Sequence, residues 1–323
     1  MSERAAVVLC NLGGPDSLES VRPFLFNLFS DPDIFRLPLG FITQRPFASL
    51  VAWRRAPSAA KGYAAIGGKS PILDFTNAQA AELGRELGEG FDVHVCMRYW
   101  HPLTGEVVAM LKKKGYTRVI LLPLYPQYSI TTTGSSYHEF QRQCQRLNYH
   151  PSVTLIRQWY DQPDYQAAIV EMLRAEVQKF PDPDTRHIEL LFSAHGLPRK
   201  IVDQGDPYER QIRATYDALC AQLGWPHITL CYQSRVGPLE WLRPYTDDVI
   251  REKAAAGVRQ MLVYPIAFVS DHVETLFELG VTYAEIARAR GIPHYHVTPA
   301  LNSHPRFIQA LKSLVLNAAS GHD

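Results

Sequence analysis

Six short apolar runs, each cut off by a histidine, a proline or a polar turn, constrain this chain more than any other feature. They are AAVVLCNL, FDVHVCMRYW, RVILLPLYPQYS, HIELLFSAH, HITLCYQS and QMLVYPIAFVS. Between them lie segments such as NAQAAELGREL and YQAAIVEMLRAEVQKF, whose apolar residues fall at helical spacing. Such alternation builds βαβ units on a parallel sheet. VILLPLYPQYS and MLVYPIAFVS share a design: an apolar strand interrupted by proline, a polar loop, then a helix. The pattern therefore predicts an α/β fold of two similar halves, over 1–155 and 156–300, with a cleft between them. HPRFIQALKSLVLNAAS, within 301–323, reads as a last amphipathic helix.

A chain of 323 residues with 46% hydrophobic content can bury a large core. Its 33 basic and 32 acidic residues nearly cancel, which argues against a nucleic-acid partner. The five cysteines, Cys10, Cys96, Cys144, Cys220 and Cys231, form no C-x-x-C pair, and scattered thiols suit a reducing cytosol. The start, MSERAAVVLCNLGGPDS, lacks the apolar core of a signal peptide, and no apolar run reaches the roughly 18 residues that span a bilayer. The expected location is cytoplasmic. Gly13-Gly14-Pro15 lacks the spacing of a dinucleotide loop, and there is no Walker motif.

Ligands of open parallel sheets sit beyond the carboxyl ends of the strands. His195 stands at such an end, in LLFSAHGLPRK. A second strand runs into SDHVETLFELG, with Asp271, His272, Glu274 and Glu278. Glu274 and Glu278 are four apart, where like charges on a helix repel, so a cation or a shared proton is expected there. Asp271 with Glu274 also reads as a capping box, which is the structural alternative. YQSRVGPLEWLRPYTDD offers Trp241 as an apolar wall. YPQYSITTTGSS, containing Tyr128 and Ser129, could bind an anion or cap a helix. Arg98 is a strand-end cation fit for a carboxylate. From Ile34 to Leu73 there is no acidic residue; Arg36, Arg45, Arg54, Arg55, Lys61 and Lys69 alternate with Phe35, Phe41, Phe47, Trp53 and Tyr63. Such a segment suits an anionic membrane surface or an acidic substrate.

The blocks NLGGPDS, GGKSPI, YPQYS followed by TTGSS, LLFSAHGLPRKIVDQGDPYERQI, QSRVGP followed by WL, and PIAFVSDHVETLFEL stand in this order from Ala5 to Asn302. Together they closely resemble the ferrochelatase signature. The resemblance implies two similar Rossmann-like domains with a porphyrin cleft between them (the chelatase fold) and a C-terminal helix returning to the first domain. It implies a lyase of haem biosynthesis that inserts Fe2+ into protoporphyrin IX. Matched by motif, His195 is the active-site histidine and Glu274 the acid facing it, both candidate iron ligands. His272 and Glu278 match neighbours on an acidic ridge that carries a π-helical distortion. Arg98 matches a residue near the propionates, Tyr128 and Ser129 a loop lining the cleft, and residues 24–53, with Phe35, an apolar lip that can contact membrane. Iron is a substrate here, and no tightly bound cofactor is expected. Some members carry a [2Fe–2S] cluster on C-terminal cysteines; no cysteine follows Cys231, so the cluster is expected to be absent.

A histidine titrating near neutral pH can accept a pyrrole proton, and imidazole with carboxylate suits iron(II). Three rivals remain at this level: a chelatase for another metal or tetrapyrrole, a coproporphyrin ferrochelatase, and a non-catalytic haem carrier.

Overall fold

The computed structural model describes residues 4–321 other than Arg36 and Pro38, and only the backbone of Phe41. Among the described residues eight strands form two parallel sheets. β1 (Ala5–Asn11), β2 (Phe91–Met97), β3 (Arg118–Pro123) and β4 (Ser152–Leu155) lie in the order β2-β1-β3-β4. β5 (Ile188–His195), β6 (Ile228–Gln233), β7 (Gln260–Tyr264) and β8 (His294–Val297) lie in the order β6-β5-β7-β8. The two orders are the same when each sheet is counted from its own first strand, so the duplication suggested by the proline-interrupted strands is one of topology.

The chain divides into two compact units, Met1–Trp159 with Ile308–Asp323, and Tyr160–Phe307. The C-terminal helix, Pro305–Ser320, joins the first unit from Ile308 onward. There Lys312 pairs with Glu86 at 3.1 Å, and Arg118 donates to the Ala319 carbonyl at 3.2 Å.

β1 is buried at every position, and β5 at every position but its last. Such continuous apolar runs are what a central parallel strand needs, with both faces covered. Leu190, Leu191, Phe192 and Ala194 are all fully buried, and His195 emerges where β5 leaves the core. The six strands expected from apolar runs all form. The two that were missed, β4 and β8, are four-residue edge strands of mostly intermediate burial, too short and mixed to stand out. β7 stops at Tyr264, one residue before Pro265, because proline has no N–H for the ladder.

In the first unit, α1 (Val21–Phe29) packs against the long α2 (Gly40–Ala65), which covers most of the acid-free segment. Arg36 and the Phe41 side chain lie outside the described residues.

Candidate active site

The second unit holds five of the sequence-predicted residues: His195, Trp241, His272, Glu274 and Glu278. His195 ends β5, with 34% of its side chain open. The residue after it must be glycine: a Cβ at Gly196 would sit 2.9 Å from the Gln233 carbonyl and 3.3 Å from the Trp241 ring. The Tyr208 hydroxyl donates to the His195 carbonyl at 2.8 Å and holds the strand end from the other side. Trp241 is half-buried, its indole N–H donating to Val236 O at 3.0 Å.

Glu274 and Glu278 come from a π-helix, Glu274–Tyr283, that follows β7. Wide turns of this type often mark functional sites. His195 Nδ1 lies 2.8 Å from Glu274 Oε2. Ser234, at the end of β6, joins the two acids. Its hydroxyl reaches Glu274 Oε2 at 2.8 Å and also contacts Glu278 Oε2, and its backbone N–H donates to Glu278 Oε1 at 2.9 Å. Ser234 has φ +66°, a left-handed conformation uncommon for a residue with a side chain. Tyr283 donates a further hydrogen bond to Glu278 Oε1 at 2.9 Å.

Proton counting defines the chemistry. A carboxylate only accepts, so neutral His195 carries its proton on Nδ1, toward Glu274, and keeps the Nε2 lone pair. A serine hydroxyl has one proton, yet two carboxylate oxygens lie within its reach; a proton held on Glu278 closes the count. Electrostatics agree. Burial and the charge of Glu274 push the Glu278 pKa up. Glu274 goes the other way: burial would raise its pKa, but the charge and hydrogen bond of His195 bring it well below the usual range. For His195, burial works to lower the pKa, but Glu274 by charge and hydrogen bond, with Glu278 behind it, raises it.

His272 feels the charges of His195 and Glu274 but hydrogen-bonds neither. It is buried, its Nδ1 hydrogen-bonds the Ser270 carbonyl at 3.1 Å, and its ring meets Phe268 edge-on at 4.4 Å. Burial lowers its pKa, so it is a neutral group. The capping box expected of Asp271 and Glu274 does not form. The residue before the π-helix makes no side-chain cap, and Asp271 accepts instead from the Thr275 hydroxyl at 2.8 Å.

Four sequence-predicted residues lie in the first unit. Arg98 is not a free strand-end cation: it pairs with the buried Asp31 at 2.9 Å and donates to Ser135 Oγ at 2.7 Å. Tyr99 completes that knot with a 2.6 Å bond to Asp31. Ser129 is fully buried, and its hydroxyl caps a π-helical turn, Ile130–Gly134, through Thr131 N at 3.2 Å. Tyr128 lies under the guanidinium of Arg157, 4.3 Å from ring centre to carbon. Phe35 is half-buried, with Phe29 at 5.3 Å and Phe47 at 6.0 Å.

Sequence reasoning missed Ser234 and Tyr208 as supports. Ser234 and Tyr208 stood inside quoted blocks; their long-range partners, 40 and 13 residues away, carry no periodic signal.

A family model described as Ferrochelatase matches residues 4–319. A ferrochelatase of Gloeothece citriformis is 46% identical, over 98% of this chain and 82% of that protein. One of Picosynechococcus sp. is 47% identical, over 98% and 83%. Among solved structures, SirB from Bacillus subtilis with Fe3+ matches with TM-score 0.58 at 11% identity, over 98% of this chain and 96% of the other. CbiX, described as the terminal enzyme of sirohaem biosynthesis in denitrifying bacteria, gives TM-score 0.52 at 14% identity, over 98% and 99%. These two are likenesses of fold.

The triad makes an electrostatic prediction. In wild-type protein the His195 imidazole should titrate above the ordinary value of about 6.5. Glu274→Gln removes the larger opposing charge and leaves burial, so the pKa should fall. Glu278 and His272 remain nearby in both forms. NMR titration of the imidazole carbons measures both values, and equal values would contradict the pairing.

Proposed function

The chain belongs to the ferrochelatase family, and from that premise we propose how its own residues insert iron into protoporphyrin, the step of haem synthesis that the family performs. Metallation exchanges two pyrrole N–H protons for one divalent cation, so the site must take up protons and tolerate positive charge. The observation that carries the reading is the 2.8 Å contact between His195, at a strand end, and the half-buried Glu274. Neutral His195 accepts one pyrrole proton at Nε2, releases it to solvent through its open side, and then accepts the second. The imidazolium so formed is balanced by Glu274, whose charge already raises its basicity. Glu278, on the far side of Ser234, holds a further proton and couples to Glu274 through the shared hydroxyl.

One lone pair cannot hold iron and accept a proton together. His195 therefore serves as base when the pyrrole proton leaves, and Glu274 supplies the carboxylate donor that suits iron(II). Among the described residues Glu274 Oε1 carries no hydrogen bond, and no group of three or more His, Cys, Asp or Glu forms a full metal cage. Trp241, beside Gly196, supplies an apolar wall next to His195. Arg98 would support a propionate through the Asp31 knot, with Tyr128 and Phe35 as further contacts.

A second reading concerns the membrane. Leu39, Ile42, Pro46, Leu50, Trp53 and Pro57 follow one another at intervals of three and four, and all are exposed. Trp53 is 60% and Ile42 62% exposed. Arg45, Arg54 and Lys61 are exposed on the same helix, with no acid between Ile34 and Leu73. This face suits peripheral contact with an anionic membrane surface. No helix among the described residues is long and apolar enough to cross a membrane.

For a resident iron–sulfur cluster the donors do not fit. A cluster needs about four cysteines together. The first unit holds Cys10, Cys96 and Cys144, all buried, and the second only Cys220 and Cys231.

Three outcomes follow. His195→Ala should lose about 100- to 10,000-fold in kcat, or roughly 3–5 kcal/mol of barrier, with porphyrin Kd and Tm near wild type; a folded variant with wild-type kcat would refute the base. Flotation with anionic liposomes should be strong at low salt, weaken as salt rises, and be lost in Trp53→Glu; equal flotation of both proteins removes the membrane reading. Anaerobically purified protein should contain no acid-labile sulfide, and iron with sulfide in equal amounts would overturn the cofactor reading.

A further inference from the structure

The π-helix that carries Glu274 begins without a side-chain cap of its own, and what fastens it lies 31 residues away in sequence. Asp271, 5% exposed, accepts from Asn302 Nδ2 at 2.7 Å, and Asn302 Oδ1 accepts from the Asp271 backbone N–H at 3.0 Å. The two residues thus hold each other by a reciprocal pair of bonds. Asp271 Oδ1 takes the Thr275 hydroxyl at 2.8 Å and the Ala300 N–H at 3.1 Å. The Thr275 hydroxyl in turn accepts from the His272 N–H at 3.1 Å. Asn302 N–H donates to Val269 O at 2.9 Å, which ties the loop after β8 to the segment after β7. Asn302 sits at φ +45°, a conformation that asparagine and glycine take most readily.

We propose that Asn302 is a positioning residue for iron insertion: its clasp on Asp271 fixes the first turn of the π-helix and so aims the Glu274 carboxylate at His195. The proposal rests on the reading of Glu274 and His195 given above. Asn302 touches neither of them. Its effect runs through Asp271 and Thr275, the residues that bracket His272, Val273 and Glu274. A wide helical turn has no spare rigidity, so releasing the clasp lets Glu274 drift while the apolar walls stay in place.

The test compares Asn302→Gly, Asn302→Asp and the exchange Asp271→Asn/Asn302→Asp, with His195→Ala in parallel. Glycine keeps the left-handed backbone and loses only the amide. Its kcat should fall roughly 10- to 100-fold, the scale of a misplaced catalytic group, with porphyrin KM and the folded fraction at assay temperature unchanged. Asn302→Asp sets two carboxylates face to face and should fall at least as far. The exchange restores a donor opposite an acceptor and should recover most of the lost kcat. Wild-type kcat in Asn302→Gly, with His195→Ala inactive, overturns the clasp alone. An exchange that recovers Tm but not kcat also overturns it, since the bonds would then be merely structural. A folded, fully active His195→Ala overturns the site reading and any positioning role with it.

Discussion

An imidazole and a carboxylate 2.8 Å apart, both largely withdrawn from water, set the terms for the rest of this structure. Burial of either group alone would favour its neutral form. Together they keep Glu274 ionised, and the histidine becomes a stronger base than burial alone would allow. Such a pair keeps its value only while its geometry holds, because the attraction that offsets desolvation is short-ranged. Most features around it can be read as ways of holding that geometry. β5 brings His195 out of the core at its last residue; Gly196 lets the Gln233 carbonyl and Trp241 close in behind it. The Tyr208 hydroxyl fixes the strand end, and Ser234 accepts a left-handed backbone to bring Glu274 and Glu278 onto one hydroxyl.

The two acids then take different states for a physical reason. Glu274 faces the His195 imidazole and stays ionised; Glu278 faces Glu274 and is pushed toward protonation. Like charges on one helix face would otherwise repel. The shared serine proton turns that repulsion into a stored proton beside a base. A reaction that must displace two protons for one metal ion has use for the base, which takes them one after the other.

Much of this was legible in the chain. The apolar runs located every central strand, and the strand-end rule pointed to His195 before any geometry was known. The spacing of Glu274 and Glu278 called for a cation or a shared proton, and the Ser234 hydroxyl lies between the two acids. Less legible were features set by long-range contact. β4 and β8 are short edge strands without a buried stripe. Asp271 read locally as half of a capping box, because its true partners, Asn302 and Ala300, come from a loop about thirty residues on. Arg98 read as an available cation, because nothing in the sequence placed Asp31, 67 residues earlier, against it. Ser129 was flagged for an anion or a cap, and the fold uses it as a cap.

The central claim is that this site carries out metallation rather than holding a finished haem. Anaerobic incubation of the purified chain with ferrous iron and protoporphyrin, followed by absorbance, tests it most directly. The account predicts steady conversion of porphyrin to haem over many turnovers per protein molecule. Tight binding of preformed haem with no conversion of porphyrin and iron above the protein-free rate would contradict it.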